Sequence, residues 1–231
     1  IVLGDLGESG KAYPVSRDFN WSGWSLTQGG PIVTFPLTVA ASSTVTLYPK
    51  WIPKDGITRV ACSLGGTFRI FEEENRVTSS TEDCAGQVSI PSNVRHIGDN
   101  AFQNRNITSV VFEANSQLDR INYYGFANTK ITSIDLPTGL SRIYNGAFED
   151  TPLTSISIPG TVLAIETAAF NRTQLETVIF EPRITSQLEL GDYLQGNVFR
   201  YLPTLRSVTF NGPISFDSEP LQNRKRAHNW V

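Results

Sequence analysis

The chain has 231 residues, a formal net charge of −3 and 18% charged residues, with two histidines, two cysteines and no methionine. That length accommodates one large domain or two small ones, and the low charge, with a short basic run at Arg224-Lys225-Arg226, leaves a nucleic-acid partner without electrostatic support. No stretch reaches the roughly 18 consecutive apolar residues of a membrane-spanning helix, and His96, His228, Cys62 and Cys84 do not make a metal-ligand set, so neither metal nor cofactor is expected.

The chain starts at Ile1 and lacks methionine, so it is expected to be a fragment or a processed product, with any signal peptide or wall anchor outside it. Residues 1–53 carry Trp21, Trp24 and Trp51 and show no long repeat. The run Phe19-Asn-Trp-Ser-Gly-Trp-Ser25, then Gly29-Gly30, then Thr44-Val-Thr-Leu-Tyr-Pro-Lys-Trp51, resembles the Listeria–Bacteroides repeat, the internalin B-type repeat. The resemblance covers about residues 19–53, and the usual first strand is not evident before Tyr13. It implies a partial, small β-grasp-like module of a kind found in tandem arrays on bacterial surfaces. Trp24 and Trp51 are expected in its core; an aromatic platform for glycans is the sharper alternative.

Residues 54–86 read as a junction. Gly65-Gly-Thr-Phe-Arg-Ile70 and Val77-Thr78 look like a hairpin leading into Cys84-Ala-Gly-Gln-Val88. A stack of repeats needs an atypical end unit to cover its core, and this segment is expected to be that cap. Cys62 and Cys84 are one disulfide or two buried thiols; their spacing alone does not decide.

Residues 87–216 are dominated by a repeat. Phe102, Phe126, Phe148, Phe170 and Phe199 are separated by 24, 22, 22 and 29 residues. Ile97, Ile121, Ile143 and Ile165 stand five positions before the first four, and Val94, Leu118, Leu140 and Val162 three positions before those. The fifth unit has Leu194 at the first of these positions and Gly191 at the second, and its extra residues around Leu188-Glu189-Leu190 read as an insertion. Between these segments recur Ile107-Thr-Ser-Val-Val-Phe112, Ile131-Thr-Ser-Ile-Asp-Leu136, Leu153-Thr-Ser-Ile-Ser-Ile158, Leu175-Glu-Thr-Val-Ile-Phe180 and Leu205-Arg-Ser-Val-Thr-Phe210, with a shorter copy at Val88-Ser-Ile90. Their last three positions alternate, which predicts short strands with one buried face. Pro91, Pro137 and Pro159 follow three of them. A unit of about 22 residues cannot bury its apolar face alone, so the units are expected to stack into one continuous core.

Val88-Ser-Ile-Pro-Ser-Asn-Val-Arg-His-Ile-Gly-Asp-Asn-Ala-Phe102 resembles the BspA-type leucine-rich repeat, and the resemblance extends over about residues 85–212. It implies a mainly β, right-handed solenoid with a parallel sheet on one face and turns or short helices opposite. It also implies a surface-exposed or secreted protein used for attachment, and, from relatives with a cysteine at each place, a Cys62–Cys84 disulfide. Later units lose the Ile-Gly step, with Asn122, Tyr144 and Glu166 in place of Gly98. Residues 217–231 do not repeat and read as a tail or the start of a further unit, so the natural protein is expected to continue.

No catalytic set is expected. The zinc-protease, nucleophile-elbow, P-loop and EF-hand motifs are absent, and His96 reads as a surface turn residue. Glu72-Glu-Glu74, Asp217 and Glu219 read as solvated charge. Asn20, Asn106 and Asn171 begin sequons that matter only in a eukaryotic host. Each strand should present two outward columns. One is Gln87, Ser109, Ser133, Ser155, Thr177 and Ser207, small and nearly uniform, suited to hydroxyl hydrogen bonding along a ladder. The other is Ser89, Val111, Asp135, Ser157, Ile179 and Thr209, which varies in size and charge. Val111, Asp135, Ser157, Ile179 and Thr209 are therefore the candidate ligand-binding residues.

The chain is thus expected to be a monomeric bacterial surface or secreted adhesin-like protein, binding an extracellular protein or a glycan. A structural spacer in a larger wall protein and an accessory region of a surface hydrolase remain as alternatives.

Overall fold

The computed structural model describes residues 2–3, 19–27, 32–34, 37–38, 44–53, 55–183, 188–190, 198–199 and 201–212. Residues 217–231, with Arg224–Arg226, Asp217, Glu219 and His228, lie outside the described residues, as do Gly191 and Leu194. Every regular element among the described residues is a strand.

Near the N-terminus two antiparallel pairs form. β1 (Val2–Leu3) pairs with β3 (Leu37–Thr38), and β2 (Phe19–Ser25) with β4 (Tyr48–Pro53), placing Trp21 opposite Trp51. Both ends of the motif quoted above are thus strands, although Trp24 and Trp51 are half-buried rather than fully enclosed.

The expected hairpin is a three-stranded meander: β5 (Ile57–Ala61), β6 (Thr67–Phe71) and β7 (Arg76–Ser80), all antiparallel. Phe68, Ile70 and Val77 point into the core. Cys62 and Cys84 form a disulfide with Cα atoms 5.4 Å apart, buried beneath the first coil.

The solenoid carries parallel strands in two places. The front sheet is built from the alternating segments: β8 (Ala85–Ile90) with β10 (Asn106–Phe112), then β13 (Ser155–Ile158), β15 (Thr177–Phe180) and β17 (Ser207–Phe210). Val88, Val110, Ile134, Ile156 and Val178 form one inward column, all buried. A second sheet had no sequence counterpart. Its strands are two residues each: β9 (His96–Ile97), β11 (Arg120–Ile121), β12 (Arg142–Ile143), β14 (Ala164–Ile165) and β16 (Glu189–Leu190). They stack parallel in register and join the meander through β7, which pairs with β9. His96, expected in a turn, is therefore a strand residue.

Turns make up the remaining wall, centred on the phenylalanines. Phe102, Phe126, Phe148 and Phe170 are fully buried and stack coil on coil at 5.3, 5.7 and 5.5 Å, with Phe199 following at 5.8 Å. Each fully buried ring contributes roughly 1.5–3 kcal/mol of transfer free energy. Backbone bonds bind the turns together: the N–H groups of Phe102, Phe126 and Phe148 donate to the carbonyls of Gly125, Ala147 and Ala169 at 2.8–2.9 Å. Left-handed residues flank each ring. Two before it come Asn100, Tyr124, Gly146 and Ala168; two after it come Asn104, Asn128, Asp150, Arg172 and Tyr201. Thr129, Thr151 and Thr173, three after a Phe and buried, cap the preceding turn by donating to the carbonyls of Phe126, Phe148 and Phe170.

Candidate functional site

The front sheet is interrupted at its third coil. Ile131–Leu136, expected as a strand, is irregular, so β8–β10 and β13–β15–β17 are separate sheets. Thr132 still accepts a bond from the Thr154 N–H at 3.3 Å. The cause is local. Ser89-Ile90-Pro91 and Ser157-Ile158-Pro159 both keep their strands, so the proline after the strand is tolerated. Asp135-Leu136-Pro137 places aspartate, a poor strand residue, where those coils have serine.

A cleft of about 360 Å³ opens beside this irregular segment. Three coils line it: Ile134, Asp135, Leu136 and Thr138; then Ser157, Pro159, Gly160 and Thr161; then Glu181 and Pro182. Ile134 and Leu136 are 7% and 9% exposed and make an apolar floor. Gly160 sets one wall, because a Cβ there would overlap the Pro182 carbonyl. Two carboxylates reach the cleft. Glu181 Oε1 accepts from the Ser157 hydroxyl at 2.5 Å, and Oε2 accepts from Asn211 Nδ2 at 3.5 Å. Asp135 is exposed and has no hydrogen bond or ion pair among the described residues. Among the described residues, no Lys, Arg or His lines the cleft.

Asp135 and Ser157 therefore share one concavity. Ser157, Ile179 and Thr209 are directly in register on β13, β15 and β17. Val111 stands opposite Ser89 on the other sheet and is 45% exposed. Sequence reasoning missed Glu181, Thr138, Thr161 and Pro182. One signal bore on Glu181: the position after the strand is Pro91, Pro137 or Pro159 in three coils and glutamate in two, Glu113 and Glu181. The uniform column differs from expectation. No hydroxyl-to-hydroxyl bond joins Ser109, Ser133, Ser155, Thr177 and Ser207 among the described residues; side chains tie coils together elsewhere, as Ser80 to Ala101, Ser141 to Asp119 and Thr161 to Leu140.

On the second sheet Arg76, His96, Arg120 and Arg142 form a column. Glu74, Asp119 and Glu166 pair with its arginines at 2.8, 2.9 and 3.7 Å. His96 is half-buried with Nδ1 unbonded, and its pKa lies below the usual histidine value, first through burial and then through the charge of Arg120. Glu72-Glu-Glu74 sits in the β6–β7 turn, and among the described residues no three potential ligands gather to hold a metal ion. Asn171 is buried and donates to Glu149 at 2.7 Å, which leaves that sequon inaccessible.

A family model for the BspA type leucine rich repeat region matches residues 81–205 in six copies, more than half of the chain. No curated protein sequence matches. Among solved structures, a leucine rich cell surface protein from Faecalibacterium prausnitzii is 19% identical over 69% of this chain and 57% of its own, with a TM-score of 0.39. A leucine-rich repeat protein from Bacteroides ovatus is 14% identical over 87% of this chain and 57% of its own, with a TM-score of 0.34. The chain thus spans 57% of each of those two structures.

Proposed function

The chain belongs to the BspA-type leucine-rich repeat family, and from that premise we propose that it is an adhesin-like binding protein of the bacterial surface or secreted space, whose front sheet face engages an extracellular protein or glycan. One observation carries the reading. From Val88 to Val178 the inward column holds Val or Ile and is buried, Val208 of the last coil being exposed, whereas the outward column changes from Ser89 to Val111, Asp135, Ser157, Ile179 and Thr209. A constant core bearing a variable outer row suits partner recognition better than a spacer, which needs no variation. Val111, Asp135, Ser157, Ile179 and Thr209 are the contact residues of this reading.

The remaining parts follow from it. Residues 54–86 cap the solenoid of residues 87–216, residues 1–53 act as a stalk module of the internalin B-repeat type, and the protein works as a monomer without a catalytic role. Binding of the chain to a panel of extracellular-matrix proteins and glycans tests the reading, beside a variant carrying Val111→Ser, Asp135→Asn and Ile179→Ser. Binding lost in the variant, with circular dichroism unchanged, supports recognition by this face. An inert wild-type chain favours the spacer.

A further inference from the structure

We infer that the cleft between coils three and five receives a lysine or, preferably, an arginine side chain of the partner protein. The inference rests on the binding reading above and adds the chemistry of what is bound. The cleft's shape and lining argue for it together. Ile134, Leu136, Pro159 and Pro182 offer an apolar floor and wall of the kind that the aliphatic stem of a long cationic side chain covers. Two carboxylates line the cleft and, among the described residues, no cation does. Among the described residues, Asp135 is unpartnered and Glu181 is held by the neutral donors Ser157 and Asn211 alone. A carboxylate with a neutral donor still has capacity for a guanidinium, and the pair is stronger than a neutral hydrogen bond. The nearest arginine in sequence, Arg183, donates to the Val162 carbonyl and does not line the cleft.

The interrupted sheet is what makes this possible. Had Ile131–Leu136 continued the front sheet, Asp135 would stand on a flat ladder like Val111. Instead it borders a concavity whose other carboxylate comes from two coils further on. An apolar partner residue would bury the floor but leave both carboxylates desolvated without a cation, whereas an acidic one would be repelled.

The test uses the whole chain and three fluorescein-labelled peptides, Ser-Thr-Arg-Ser-Thr and its lysine and citrulline analogues. Citrulline keeps the shape of arginine without its charge. Anisotropy titrations at low salt should show the arginine peptide binding at least about tenfold more tightly than the citrulline one, as expected for a charge-assisted pair. Asp135→Asn and Glu181→Gln should each weaken that binding several-fold, while Glu73→Gln, which removes an equal charge from the β6–β7 turn, should not. Asparagine forms strands as poorly as aspartate, so Asp135→Asn leaves the cleft open. Amide shifts of Asp135, Gly160 and Glu181 on adding the arginine peptide would place it in the cleft. Equal binding of arginine and citrulline peptides, no binding of either, indifference to Asp135→Asn and Glu181→Gln, or a neutral glycan occupying the cleft would each overturn the inference. Panel binding that persists alongside such a result would leave the broader reading standing.

Discussion

The Ser157 hydroxyl donates to the Glu181 carboxylate at 2.5 Å, joining two successive coils across the outer surface of the front sheet. The bond holds a carboxylate in a cleft that Asp135 also lines. One serine and two acids, none of them in the core, thus give a uniform stack a single distinctive place.

That place depends on Asp135. Replacing it with Thr, a good strand former, should extend the front sheet through coil three and close the cleft. Hydrogen exchange at residues 132–136 should slow, and stability should rise by up to about 1 kcal/mol. Unchanged exchange would mean that something other than Asp135 interrupts the sheet.

The Cys62–Cys84 disulfide closes a loop with a sequence separation of 22 beneath the first coil. Changing both cysteines to Ser should lower the free energy of unfolding by about 3 kcal/mol on the chain-entropy estimate. Urea denaturation should show the loss, with the thermal midpoint falling in parallel.

Ala168 has φ +57°, a left-handed conformation that costs an alanine energy and a glycine almost none. Ala168→Gly should therefore stabilise the chain by up to about 1 kcal/mol in thermal unfolding, less the added flexibility of the unfolded state. Gly146 occupies the same place one coil earlier, and a Cβ there would strike the Tyr124 ring, so Gly146→Ala should destabilise.

His96 is pushed below its ordinary value of 6.5 by burial and by Arg120, with Asp119 acting the other way. Above that value the ring is neutral whether folded or not, and it contributes no pH dependence. As pH falls below it, the unfolded chain takes up a proton before the folded chain does, so stability declines until the folded-state pKa is passed. Urea midpoints measured between about pH 7.5 and pH 5 should fall for the wild type and fall less for His96→Gln. A steeper decline in the variant would contradict this assignment.

The parts of the fold legible in the sequence are those carried by one residue type at constant spacing. Phe102, Phe126, Phe148 and Phe170 marked the coils, and the alternating triplets marked the front strands, because burial demands the same kind of side chain at each level. The second sheet was invisible because Arg120–Ile121 and its neighbours are too short to alternate. The left-handed positions were hidden for another reason: Asn100 and Gly146 are ordinary residues for that conformation, but Tyr124 and Ala168 are not, and there the stack imposes the backbone. The buried Thr129, Thr151 and Thr173 are readable as a spacing, three after Phe126, Phe148 and Phe170, but a threonine in sequence does not show whether its hydroxyl meets a buried carbonyl or the outer face. The candidate column was legible as positions. Its cleft was not, since it arises where one coil fails to pair and Glu181 arrives from two coils away.

The most direct measurement is binding of the wild-type chain and the Val111→Ser, Asp135→Asn, Ile179→Ser variant to an array of extracellular-matrix proteins and glycans. The account predicts at least one saturable partner for the wild type and its loss in a variant that retains the same circular dichroism spectrum. A partner bound equally by both would place recognition away from the front sheet and contradict the account.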